Sequence, residues 1–291
     1  MMFTGAMTAL VTPFKDGSVD EAAFKKLIEF QIANGIDALV PCGTTGESAT
    51  LSYEEHEAVI EMCIEAAAKR VPVIAGTGSN STAETVMLTR HAEKAGADAA
   101  LLITPYYNKP TQQGLYEHYK SAADSVGIPI FLYNVPGRTG VNMLPETVAR
   151  LSGIKNIIGI KEATGNLQQI SDCIEMSKKG FIVLSGDDFT TLPLLSIGGH
   201  GVISVTANVA PRMVSDMVKF HFAGKTKEAR ELHFRMQPLH RAMFLETNPA
   251  PVKTALSMMG MMREEFRLPL VGMNDANRGK LKDTLKGFGL I

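Results

Sequence analysis

The chain has 291 residues, 45% of them hydrophobic, enough to bury a sizeable core in one large domain or two small ones. Its 29 Lys and Arg against 30 Asp and Glu leave no basic excess to draw it to nucleic acid or to an anionic membrane, so small molecules are the expected partners. No uninterrupted apolar run is long enough to span a bilayer, the start Met-Met-Phe-Thr-Gly-Ala lacks the features of a signal peptide, and Cys42, Cys63 and Cys173 are scattered without metal-type spacing; a reducing, cytoplasmic setting is expected.

From residue 3 to about 223, short runs rich in Val, Ile and Leu alternate with longer amphipathic stretches, the pattern of repeated βα units around a parallel sheet. The spacing predicts strands at Gly5–Val11, Asp37–Pro41, Val71–Gly76, Ala99–Thr104, Pro129–Asn134, Ile157–Lys161, Phe181–Gly186 and Gly201–Val205, each followed by a helix. Eight such units imply a closed (β/α)8 TIM barrel, an α/β fold. Asp20 reads as the cap of the first helix, Ser52 with Glu55 as a capping box on the second, and Ser81 with Glu84 as a second box on the third, while Gly35 and Gly96 end two helices. After about residue 224 the alternation stops, and 225–243, 251–259 and 275–286 read as helices alone. The expected division is a catalytic barrel over 1–224 and a C-terminal helical appendage over 225–291. In the appendage Met258, Met259, Met261 and Met262 read as adaptable packing, and no chemistry is assigned to it.

In such a barrel the active site lies at the C-terminal ends of the strands. The second strand ends in Gly43-Thr44-Thr45-Gly46-Glu47, where backbone N–H groups and two hydroxyls could receive a carboxylate, or where a plain βα turn could stand. The fourth ends in Thr104-Pro105-Tyr106-Tyr107-Asn108. The fifth ends in Tyr133-Asn134-Val135-Pro136-Gly137-Arg138-Thr139-Gly140, which offers a phenol for proton transfer and a guanidinium fork for a carboxylate, against rim filler and a surface arginine. The sixth closes the apolar run Ile157-Ile158-Gly159-Ile160 with Lys161. An apolar setting favours the neutral form of an amine, which can attack a carbonyl, although a lysine snorkelling to solvent fits the position equally. Gly186-Asp187-Asp188 ends the seventh strand, where the aspartates could cap the next helix.

Taken in order, Gly43-Thr44-Thr45-Gly46-Glu47, Tyr133 to Gly140, and Ile160-Lys161-Glu162-Ala163-Thr164-Gly165 resemble the dihydrodipicolinate synthases of the N-acetylneuraminate lyase superfamily, class I aldolase-like barrels, over essentially the whole chain. The resemblance implies a lyase of lysine and diaminopimelate biosynthesis that condenses pyruvate with aspartate semialdehyde to 4-hydroxy-tetrahydrodipicolinate, with neither metal nor organic cofactor. It implies that Lys161 forms the Schiff base, that Thr44 and Thr45 hold the pyruvate carboxylate, and that Arg138 binds that of the semialdehyde. Tyr133, Thr44 and a Tyr107 supplied by a neighbouring subunit would form a proton relay, and Gly186 and Ile203 would line the pyruvate pocket. It further implies a homotetramer built as a dimer of dimers, and inhibition by lysine at Ser48, Ala49, His56, Asn80, Glu84 and Tyr106. Tyr53 departs from the histidine of some lysine-sensitive relatives, which points to weaker inhibition; on the plainer reading His56 and Glu84 are exposed helix residues.

A sister aldolase acting on sugar acids would share the lysine and the tyrosine, but Arg138 in a Gly-Arg-Thr-Gly context suits a carboxylate-bearing aldehyde. A non-catalytic sensor of an anionic metabolite would need no Lys161.

Overall fold

The computed structural model describes residues 3–291. Eight parallel strands run in the order the spacing predicts: β1 Gly5–Ala9, β2 Ala38–Val40, β3 Ile74–Gly76, β4 Ala99–Ile103, β5 Ile130–Asn134, β6 Ile157–Glu162, β7 Ile182–Ser185 and β8 Gly201–Ser204. The sheet is ordered β2-β1-β8-β7-β6-β5-β4-β3, and the bridge between Leu39 and Val73 joins its two ends into a barrel. A small antiparallel hairpin, Phe14–Lys15 with Ser18–Val19, precedes the first helix.

Each strand is followed by its helix: α1 Glu21–Ala33, α2 Tyr53–Ala67, α3 Thr82–Ala95, α4 Gln112–Asp124, α5 Pro145–Ser152, α6 Leu167–Met176, α7 Thr191–Ser196 and α8 Pro211–Phe222. Their starts follow sequence chemistry. Asp20 accepts from Ala23 N, and Ser52 and Glu55 form the reciprocal capping box. The expected second box forms only by half. Ser81 caps Glu84 N, but the Glu84 carboxylate turns away to accept from Ser79 Oγ at 2.6 Å.

The two-residue alternation of the strands sorts side chains into two layers. Met7, Val40, Leu101, Phe131, Tyr133, Leu184 and Ile203 point into the barrel, while Leu102, Leu132, Ile160, Val183 and Val202 face the helices. By this parity Lys161 points inward and Glu162 outward.

After α8 come α9 Thr226–Ala242, α10 Ala250–Met258 and α11 Asp275–Gly287, with no strand between them. Met258, Met259, Met261 and Met262 are partly buried against the large cluster between strands and helices, as packing residues. Among the described residues no helix is long and apolar enough to cross a membrane.

Candidate active site

Tyr133 and Lys161 are register partners on the adjacent strands β5 and β6, so the pleat sends both side chains to the barrel axis at its C-terminal end. Lys161 Nζ lies 4.2 Å from the centre of the Tyr133 ring. The lysine is only 6% exposed and, among the described residues, makes no ion pair, so it is not a lysine reaching out to solvent. Room for its stem comes from the next strand: a β-carbon at Gly186 would stand 3.0 Å from Lys161 Cε and 2.7 Å from Ala163 Cβ. Ile203 is buried among the same inward side chains as Tyr133.

On the outward side of β6 Glu162 is fully buried, and burial pushes its carboxyl above the usual range. Its oxygens accept from Thr164 N at 2.8 Å, Asn134 Nδ2 at 3.1 Å and Gln169 Nε2 at 3.3 Å, tying the ends of β5 and β6 to α6. The ends of β5 and β6 thus each carry one inward candidate residue and one outward anchor. The anchors Asn134 and Glu162 stand inside the motifs read from the sequence, but their role needed the partner Gln169, which the sequence alone did not bring near.

Above Tyr133 opens a cavity of about 650 Å³ whose walls include Thr44, Tyr133, Arg138 and Thr139. Thr44–Gly46 forms a 3-10 turn and Ser48–Thr50 a second, with Glu47 between them. The first is fixed by Gly46 N donating to Gly43 O at 3.0 Å and by Thr12 Oγ1 donating to Gly46 O at 2.7 Å. Gly76 is needed beneath it, because a β-carbon there would fall 2.3 Å from Cys42 O. Thr45 is buried and accepts from Asn248 Nδ2 at 3.0 Å, whereas Arg138 is exposed and donates through Nη2 to Asn248 O at 3.2 Å. Asn248 and Lys253 come from the segment to which sequence reasoning assigned no chemistry; nothing in the local pattern signals that the chain returns to the barrel mouth there.

The cavity continues past the Thr44 turn to Ser48, Ala49, His56, Glu84 and Tyr106, while Asn80 stands behind Tyr106 and donates to its carbonyl at 3.2 Å. His56 is buried, not an exposed helix residue: Nε2 donates to Gly76 O at 2.7 Å, and burial lowers its pKa. The hydroxyls of Ser79 and Tyr53 hold the Glu84 carboxylate below the usual range. Tyr107 is not gathered with Thr44 and Tyr133 in one chain. It is 90% exposed with φ 72°, a left-handed conformation rare for a residue with a bulky side chain. Of the paired aspartates, Asp187 caps the following turn by accepting from Phe189 N at 3.1 Å. Asp188 does not cap; it accepts from Val205 N and Thr206 N across to β8.

A closed barrel with a buried lysine at the end of its sixth strand, packed on a tyrosine that lines a cavity with hydroxyls and an arginine, defines an aldolase-like lyase. The model of the dihydrodipicolinate synthetase family matches residues 2–288. Over 290 residues the chain is 61% identical to the 4-hydroxy-tetrahydrodipicolinate synthase of Syntrophus aciditrophicus, covering all of both chains. It superposes with TM-score 0.97 on the chloride-inhibited dihydrodipicolinate synthase of Acinetobacter baumannii complexed with pyruvate, 48% identical over 99% of each chain. With the enzyme from Cyanidioschyzon merolae with lysine bound, the TM-score is 0.96 at 40% identity, covering 100% of this chain and 99% of the other. The chain belongs to the dihydrodipicolinate synthetase family.

Proposed function

We propose that this chain condenses pyruvate with aspartate semialdehyde to 4-hydroxy-tetrahydrodipicolinate, with Lys161 as the covalent nucleophile. The observation that carries the reading is the inward pair of Tyr133 and Lys161, with Tyr133 lining a cavity together with Thr44 and Arg138. The Lys161 amine adds to C2 of pyruvate and water leaves, giving an imine. Loss of a C3 proton makes the enamine, whose C3 attacks the aldehyde carbon while the aldehyde oxygen takes up a proton. The amine of the second substrate then adds to C2, expels the Lys161 amine and closes the ring.

Thr44 and Thr45 receive the pyruvate carboxylate, Gly186 and Ile203 shape its pocket, and Arg138 grips the carboxylate of the semialdehyde. Tyr133 and Thr44 pass protons with the partner subunit's Tyr107, a role that its exposure and strained backbone support. The assembly is then a homotetramer built as a dimer of dimers, working in the cytoplasm. Lysine is the inhibitor at Ser48, Ala49, His56, Asn80, Glu84 and Tyr106.

The test is pyruvate-dependent consumption of aspartate semialdehyde, coupled to reduction of the cyclic product, with cleavage of N-acetylmannosamine-derived and 2-keto-3-deoxygluconate substrates alongside. Turnover that vanishes in Lys161→Ala is expected; activity confined to the sugar substrates would overturn the choice of aldehyde.

A further inference from the structure

Lys253, on α10, and Glu47, between the two turns at the end of β2, form an ion pair with both side chains 0% exposed. Glu47 has φ 52° and ψ 35°, a left-handed conformation unfavourable for a residue with a β-carbon. Its second oxygen accepts from Arg267 N at 3.2 Å. The ammonium also lies 4.2 Å from the centre of the Phe14 ring and 5.2 Å from that of Phe266. Burial pulls the Lys253 pKa down while Glu47 opposes it. An ion pair so deeply buried adds little net stability, because desolvation offsets attraction, but losing either partner is costly. What the pair supplies is a fixed backbone at Glu47, and therefore fixed positions for the residues on either side. Five residues before Lys253, Asn248 holds Thr45 Oγ1 through its side chain and Arg138 through its carbonyl.

We infer that Lys253, Glu47 and Asn248 are positioning residues: the C-terminal segment clamps the Thr44–Thr45 turn in the form that receives the substrate carboxylate. The clamp rests on the reading of that turn as the carboxylate seat. It acts from two sides, through the Glu47 backbone and through the Thr45 hydroxyl, and it makes the helices after the barrel part of the binding machinery.

Two full-length variants test it. Glu47→Gln/Lys253→Met removes both charges yet keeps an acceptor for Arg267 N, and Asn248→Ala removes the Thr45 contact while leaving the buried pair intact. Pyruvate affinity is measured by calorimetry, adduct formation by borohydride trapping, and folding by the thermal midpoint. The expected result is a roughly tenfold weaker pyruvate affinity in both variants, the effect of about one charge-assisted hydrogen bond, with full trapping at saturating pyruvate and a midpoint shifted by less than about 5 °C. A lowered midpoint with unchanged pyruvate affinity would make the cluster structural and overturn the clamp, as would no change in either. If the double variant does not fold, Asn248→Ala decides alone. Wild-type protein that binds pyruvate without being trapped would remove the Schiff base while leaving the clamp readable from the affinities; wild type that does not bind pyruvate overturns both.

Discussion

Gly186 leaves the space that the Lys161 stem occupies: a β-carbon there would meet Lys161 Cγ at 3.1 Å and Cε at 3.0 Å. Its backbone is tied to the same strand, with Gly186 N donating to Glu162 O at 2.8 Å, so it has little freedom to retreat. Gly186→Ala is therefore expected to push the lysine off its line. Displacement of a reacting group by about 1 Å costs on the order of 100-fold in rate. Borohydride trapping with pyruvate should slow by about that factor while circular dichroism stays native; unchanged trapping would show that Lys161 has other room.

Tyr133→Phe separates the ring from its hydroxyl. The ring that flanks Lys161 Nζ at 4.2 Å stays, so the fold and the packing around the lysine should be kept. Removing a positioned proton donor typically costs about 100- to 10,000-fold. Turnover is expected to fall into that range with a thermal midpoint close to wild type. A variant of nearly full activity would leave Tyr133 only a packing role.

The eight strands were legible because parallel strands covered on both faces read as short apolar runs with turn signals between them, and the predicted ends fall within three residues of the observed ones. Lys161 and Tyr133 were legible as strand-end candidates, but position alone fitted a snorkelling lysine and rim filler as well; it was the resemblance of the motifs around them that carried their proposed roles. What stayed hidden depends on competing local donors and on distant chain. Glu84 completes no capping box because Ser79, five residues earlier, offers a competing donor. Lys253 sits in helical sequence whose periodicity says only which face is buried, Asn248 sits in the turn before that helix, and their partners Thr45 and Glu47 lie more than two hundred residues away.

Tyr107 can serve a neighbouring site only across an interface. Tyr107→Phe and Lys161→Ala are each expected to be nearly inactive alone. Unfolded together and refolded as a mixture, they should regain activity, because a mixed pair holds one site with both residues intact. A mixture no more active than its components would place Tyr107 outside the relay.

Glu84 lies on the cavity wall beyond the Thr44 turn, and the hydroxyls of Ser79 and Tyr53 hold its pKa below the usual carboxylate range. A bound lysine would set one of its ammonium groups there. Glu84→Gln keeps an acceptor for Ser79 but removes the charge, so the lysine concentration for half inhibition should rise roughly tenfold, with turnover in its absence unchanged. Wild-type activity indifferent to millimolar lysine would remove the inhibitor from this cavity.

His118 makes stability depend on pH without touching the site. It is buried on α4, with Nδ1 paired to Thr82 Oγ1 at 2.9 Å and Nε2 without a partner among the described residues. Burial pushes its pKa down from 6.5 to about 4. Because the folded value lies below the unfolded one, the unfolded chain takes up the proton first as pH falls. The stabilisation is present above about pH 6.5 and is lost progressively toward pH 4. At about 1.4 kcal/mol per unit, the fall from 6.5 to about 4 lets His118 account for at most about 3 to 4 kcal/mol of that loss. His118→Gln keeps a partner for Thr82 but cannot titrate. Urea unfolding at pH 7 and at pH 4.5 should show the wild type losing about 2 kcal/mol more than the variant, the other histidines and carboxylates being common to both. Equal losses would mean that His118 accepts its proton inside the folded protein as readily as in water.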